Sequence, residues 1–100
     1  MQMHEEASPL DEEPAADFEM LVSYLSTTVM FQLGLLPGPG GERIPPDLPN
    51  ARRTIDLLGV LEQKTRGNLA PEEAQLLDDV LADLRMGYVE TENRLAKKRK

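Results

Sequence analysis

From Met20 to Gly41 the chain carries no charged side chain, although 29% of its residues are charged. No part of this run alternates apolar and polar residues with period two, and PGPGG closes it, so it reads as a helix from about Asp17, a capping residue, to about Leu35. Such a helix is about 28 Å long at ~1.5 Å per residue. At about 100° per residue its apolar groups fall into two separate sectors. Phe18, Leu21, Val22, Leu25, Val29, Leu33 and Leu36 form one stripe. Met20, Tyr24, Phe31 and Leu35 form a second, centred roughly 140° from the first by the same helical repeat. Glu19, Ser23, Ser26 and Gly34 make a small and polar seam between them, broken by Met30.

The chain beyond this run is helical too. The segment PGPGGERIPPDLPN is a Pro/Gly-rich connection without periodicity, and a second helix is expected from Asp47 or Leu48 to about Arg66. Its predicted buried arc is Ala51, Ile55, Leu57, Leu58 and Leu61, opposite Arg52, Arg53, Asp56, Gln63 and Lys64. Gly67 stands where a left-handed closing residue is wanted, with Leu69 placed to fold back in a Schellman-like closure. A third helix is expected from Pro71 to about Asn93, with Glu72 and Glu73 at the positive end of its dipole. Ala74, Leu77, Leu81, Leu84 and Tyr88 form its stripe, widened by Leu76 and Val80. The short turn between these two helices makes them an antiparallel hairpin. The expected fold is all-α: a long apolar first helix laid on that hairpin.

The hairpin can cover one stripe of the first helix, but two so far apart exceed what two neighbours usually bury. Covering Met20, Tyr24, Phe31 and Leu35 would contribute about 1.5–3 kcal/mol each. The four together rival the ~5–15 kcal/mol stability of an ordinary domain. Size points the same way. Residues 1–16 are acidic and proline-containing and read as a disordered arm, while 94–100 reads as a basic tail flanking a helical domain over 17–93. That leaves about 75 residues, a marginal core without staples, and the chain has no Cys. A homodimer formed through the second stripe is therefore expected, since two-fold closure is the commonest arrangement. A membrane span fits poorly. It wants about 20 apolar residues, whereas this run is interrupted by Ser23, Ser26, Thr27, Thr28 and Gln32 and has no basic flank at its start.

DFEMLVSYLSTTVMFQLGLLP, followed by ARRTIDLLGVLEQKTRGNLAPEEAQLLDDVLADLRMGYVE, resembles the small bacterial proteins grouped as domain of unknown function 1844. The similarity runs from about Asp17 to Glu90 and is most specific in TIDLLGVLEQKTRGNL. Ala70 stands where the family more usually carries a capping Thr or Ser. The resemblance implies a bacterial helical domain and no reaction.

Little in the chain suggests catalysis. The single His is His4, in the acidic arm, so a zinc site or a Ser-His relay lacks material, and no cofactor is expected. The acid pairs Glu72/Glu73 and Asp78/Asp79 are helical neighbours that diverge by about 100° and read as dipole complement and solvated face. GPGG lacks the Gly-Lys-Ser/Thr ending and the preceding strand of a phosphate loop. Charge is lopsided within a net −7: residues 1–19 hold seven acids and no base, and 94–100 hold five bases and no acid. Arg94, Lys97, Lys98, Arg99 and Lys100 could meet phosphates, and a dimer would present two such tails, but no aromatic is interleaved for stacking. Nucleic-acid contact is thus the secondary expectation. The primary one is a non-enzymatic, cytoplasmic, self-associating interaction module, with no signal peptide in view.

Overall fold

In a computed structural model, residues 17–98 are described. They form three helices, α1 (Phe18–Gln32), α2 (Leu48–Thr65) and α3 (Pro71–Lys98), and the fold is all-α. The acidic arm with His4, and the tail residues Arg99 and Lys100, lie outside the described residues.

Asp17 caps α1, its side chain accepting the Met20 N–H at 2.8 Å. The helix stops at Gln32, three residues before the expected Leu35, because Gly34 turns left-handed at φ +74°. The Leu35 N–H then donates to Met30 O at 2.9 Å and the Gly34 N–H to Phe31 O at 3.0 Å, a Schellman closure. A Cβ on Gly34 would also lie 2.8 Å from Ile44 O, so shape and backbone conformation both require glycine here.

The next helix starts where α1 ends. The Asp47 N–H donates to Gln32 O at 2.6 Å, and the Asp47 side chain accepts from the Asn50 N–H at 3.3 Å and from Asn50 Nδ2 at 2.7 Å. With their adjacent ends pinned and their sides packed together, α1 and α2 run antiparallel. At the far end Gly67 does adopt positive φ, +88°. The closure differs from the expected one, however: Asn68 N–H bonds Thr65 O at 2.8 Å across Arg66 (φ −59°, ψ 128°), which is a type II turn. α3 begins without a capping hydroxyl, and the Glu73 carboxylate reaches back to the Ala70 N–H at 2.9 Å as half of a capping box.

α3 continues to Lys98, five residues beyond the end read from the pattern. It outruns the other helices, and the Arg43–Pro46 segment of the connection lies along its projecting end beside Arg94, Leu95 and Lys98. Thr91 is buried and Leu95 half-buried there. The core is shared evenly: Val22, Val29 and Leu33 from α1, Ala51, Ile55 and Leu58 from α2, and Leu77, Leu81 and Leu84 from α3. All three pairs of helices pack against one another.

Candidate self-association face

The second stripe of α1 is only partly covered by its own chain, and Leu35, expected at its end, lies beyond the Gly34 closure and so off the helical repeat. Tyr24 is 69% exposed, Leu35 44% and Phe31 39%, while Met20 is half-buried. Leu21, expected against the hairpin, is 43% exposed and joins this outer side. It stands at the margin of the inner stripe, on the side of α2.

Two residues of α2 extend the same surface. Leu57, expected in the buried arc, is 53% exposed, and Val60 is 47% exposed. The placement follows from the helical repeat. Gln32, which shares a groove with Leu48, marks the α2-facing flank of α1, and turning outward from it by about 100° per residue leads through Leu21 and Thr28 to Tyr24 and Phe31. On α2, turning outward from the half-buried Leu61 leads to Leu57 and Val60. Counting at ~1.5 Å per residue from the pinned junction sets Leu57 at a level between Leu21 and Tyr24, and Leu21 at a level between Leu57 and Val60. One apolar face therefore spans the α1–α2 groove.

Its lower end is open. Phe31, Gln32, Ile44, Pro45, Pro46 and Leu48 line a groove of about 590 Å³. Gln32, one of the lining residues, has its Oε1 buried without a hydrogen-bond partner among the described residues. A large aromatic side chain presents about 150–250 Å² when fully exposed. Scaled by their exposures, Leu21, Tyr24, Phe31, Leu35, Leu57 and Val60 leave on the order of 500 Å² of apolar surface open. That is at the upper end for the largest patch on a monomer, about 300–600 Å².

The basic residues divide. Arg94 and Lys98 meet Arg43 around a cleft of about 360 Å³ whose lining contains no carboxylate, whereas Lys97 lies on another side of α3. Arg43 was not legible as a site residue, because it sits in a connection with no periodicity. Only the docking of that connection onto α3 brings it there.

Carboxylates also meet where sequence neighbours do not. Glu62 of α2 and Asp78 of α3 face each other beside the type II turn, lining a cleft of about 210 Å³. Sharing a proton with Asp78 raises the Glu62 pKa, partial burial and the Asp78 charge add to the rise, and Arg66 and Arg85 oppose it. Asp79 instead accepts from Gln75 Nε2 at 2.9 Å. Among the described residues no group of three or more His, Asp or Glu side chains is disposed to hold a metal ion. No helix among them is long and apolar enough to cross a membrane.

Fold and surface together define a small three-helix domain whose first helix is apolar on its inner side and on its outer side. Residues 15–90 match the family model of Domain of unknown function (DUF1844), and the chain belongs to that family. No curated protein and no solved structure matches it.

Proposed function

We propose that this protein is a non-enzymatic, homo-oligomeric interaction module that pairs with a second copy through the outer α1–α2 face. The observation that carries the reading is the exposure of Tyr24 and Phe31 together with Leu21, Leu57 and Val60, which the helical repeat sets around the α1–α2 groove. Two such faces laid together would remove on the order of 1,000 Å² of apolar surface, to which the polar rim adds, reaching the ~1,200 Å² where stable interfaces begin. A second copy suits this face better than a charged partner, because the α1 part of it offers no charge from Met20 onward. The cysteine-free composition fits a cytoplasmic setting.

Light scattering after gel filtration tests the proposal. The wild type should elute at twice the 11.2 kDa chain mass, and Tyr24→Lys combined with Phe31→Glu should elute at the single mass with its helicity intact. A double variant of unchanged mass would place the interface elsewhere.

The cleft of Arg43, Arg94 and Lys98 supports a second reading, contact with nucleic-acid phosphates, now through a folded cluster rather than a tail alone. Arg43→Glu with Arg94→Glu should then abolish salt-sensitive retention of RNA or DNA. Retention that survives the double reversal would overturn this reading.

A further inference from the structure

We infer that the cleft of Arg43, Arg94 and Lys98 takes the doubly charged phosphate of a phosphate monoester, held as a single group and not as one link of a strand; this rests on the phosphate reading of the same cleft above. Arg94 and Lys98 stand one turn apart on α3, so both lie on the same side of the helix. The third base comes from another element, Arg43 of the connection, and the lining contains no carboxylate. The negative end of the α3 dipole accounts for bases on the helix itself. It does not account for Arg43, which adds a third positive charge where two already repel it. In a chain of net charge −7, that gathering of like charge is relieved when an anion enters.

The chain fixes the Arg43 backbone from both sides. Upstream, the Gly38 N–H donates to Glu42 O at 2.8 Å and the Gly41 N–H to Gly38 O at 2.9 Å, closing a tight loop. Downstream, Pro45 and Pro46 restrict the backbone up to the Asp47 N–H, which is pinned to Gln32 O. Glycine at position 34 lets Ile44 O approach the end of α1. Glu42, the acid next to Arg43, turns its carboxylate into the loop, where it accepts the Gly40 N–H at 2.9 Å. The acid nearest in sequence therefore does not line the cleft.

Size and walls set the class of ligand. A volume of about 360 Å³ is at the small end of ligand sites, about 300–1,000 Å³. Ile44, Pro45, Pro46 and Leu95 supply apolar walls beside the bases, suited to the organic body that carries the phosphate. No aromatic side chain lines the cleft, so it lacks the stacking platform on which strand binders hold successive bases. A monoester phosphate carries about −1.5 to −2 at neutral pH, against a single charge on each phosphate within a strand. Three bases around one small cleft favour the more highly charged group.

Adenosine 5′-monophosphate, its 3′,5′-cyclic diester and adenosine share one body and differ in the phosphate alone, and NMR titration of each into the full chain tests the assignment. The monophosphate should bind, the cyclic diester about tenfold more weakly, and adenosine not at all. Arg43→Gln and Arg94→Gln should each weaken the monophosphate about ten- to a hundredfold with helicity unchanged, whereas Lys97→Gln, on another side of α3, should not. Short DNA strands with and without a 5′ phosphate separate the two sources of a monoester. A phosphorylated strand held more tightly than the free monophosphate supports the assignment with a strand end as ligand, and the reverse order supports it with a small molecule. A cyclic diester bound as tightly as the monophosphate would overturn the assignment. Equal retention of the two strands with no binding of the monophosphate would overturn it too and leave contact with strand phosphates standing. No binding of the monophosphate or of either strand would overturn both.

Discussion

The inner and outer sides of α1 are built from the same kinds of residue and have opposite fates. Val22, Val29 and Leu33 are at most 1% exposed, whereas Tyr24, Phe31 and Leu35, from the same stretch of chain, keep between 39% and 69% of their surface open. Composition cannot separate them, since each side is apolar and uncharged. The number of neighbours does. Two helices reach around one side of a third, and α2 and α3 spend their own stripes on each other and on the inner side of α1. The difference teaches that in a domain this small, apolar surface beyond about one arc per helix is available for a partner.

The sharpest way to break the contrast is to cut into each side. Leu33→Ala removes a fully buried side chain at the contact of all three helices and should cost about 2–5 kcal/mol, read as a lower urea midpoint by circular dichroism. Tyr24→Ala should change the stability of the isolated chain by no more than about 0.5 kcal/mol, because it removes little that is packed. Comparable losses from the two would mean that the outer side is part of the monomer core.

Much of this arrangement was legible in the sequence for physical reasons that can be named. The uncharged run, the Gly-Pro punctuation and the 3-4 spacing of α3 fix three helices, and Asp17, Asp47 and Pro71 mark their starts within a residue or so. The second stripe was legible because its angular separation from the first is a property of the repeat alone. A helical wheel places Leu21 and Leu57 in buried arcs because it gives direction and not the width of whatever lies opposite. The position of the Schellman closure is hidden for a similar reason: Gly34 and Gly67 are both left-handed, but Gly34 closes α1 while Gly67 is the third residue of a type II turn, a difference the residue type does not carry. Arg43 and the Glu62–Asp78 pair depend on long-range docking, which no local pattern encodes.

Smaller effects sharpen the picture of how the inner side is held. Gly34→Ala forces a Cβ into left-handed backbone and towards Ile44 O, and should cost about 1–3 kcal/mol in thermal or urea unfolding. Asp47→Ala removes the cap of α2 and should cost about 1 kcal/mol by the same measurement. Away from both faces, Glu62 has its pKa raised in the folded chain by Asp78, so the folded state binds more protons than the unfolded one between the two values. Stability from this pair is present at low pH and is lost as pH rises through the raised Glu62 value. Glu62→Gln should accordingly stabilise the chain near neutral pH by a few tenths of a kcal/mol, roughly the worth of an exposed charge contact, and flatten that part of the stability profile.

The most direct measurement is the molar mass of the wild-type chain by light scattering across the micromolar range, set beside that of Tyr24→Lys with Phe31→Glu. An outer side reserved for a second copy predicts twice the 11.2 kDa chain mass for the wild type and the single mass, equally helical, for the variant. A wild type that holds the single mass at every concentration would contradict it.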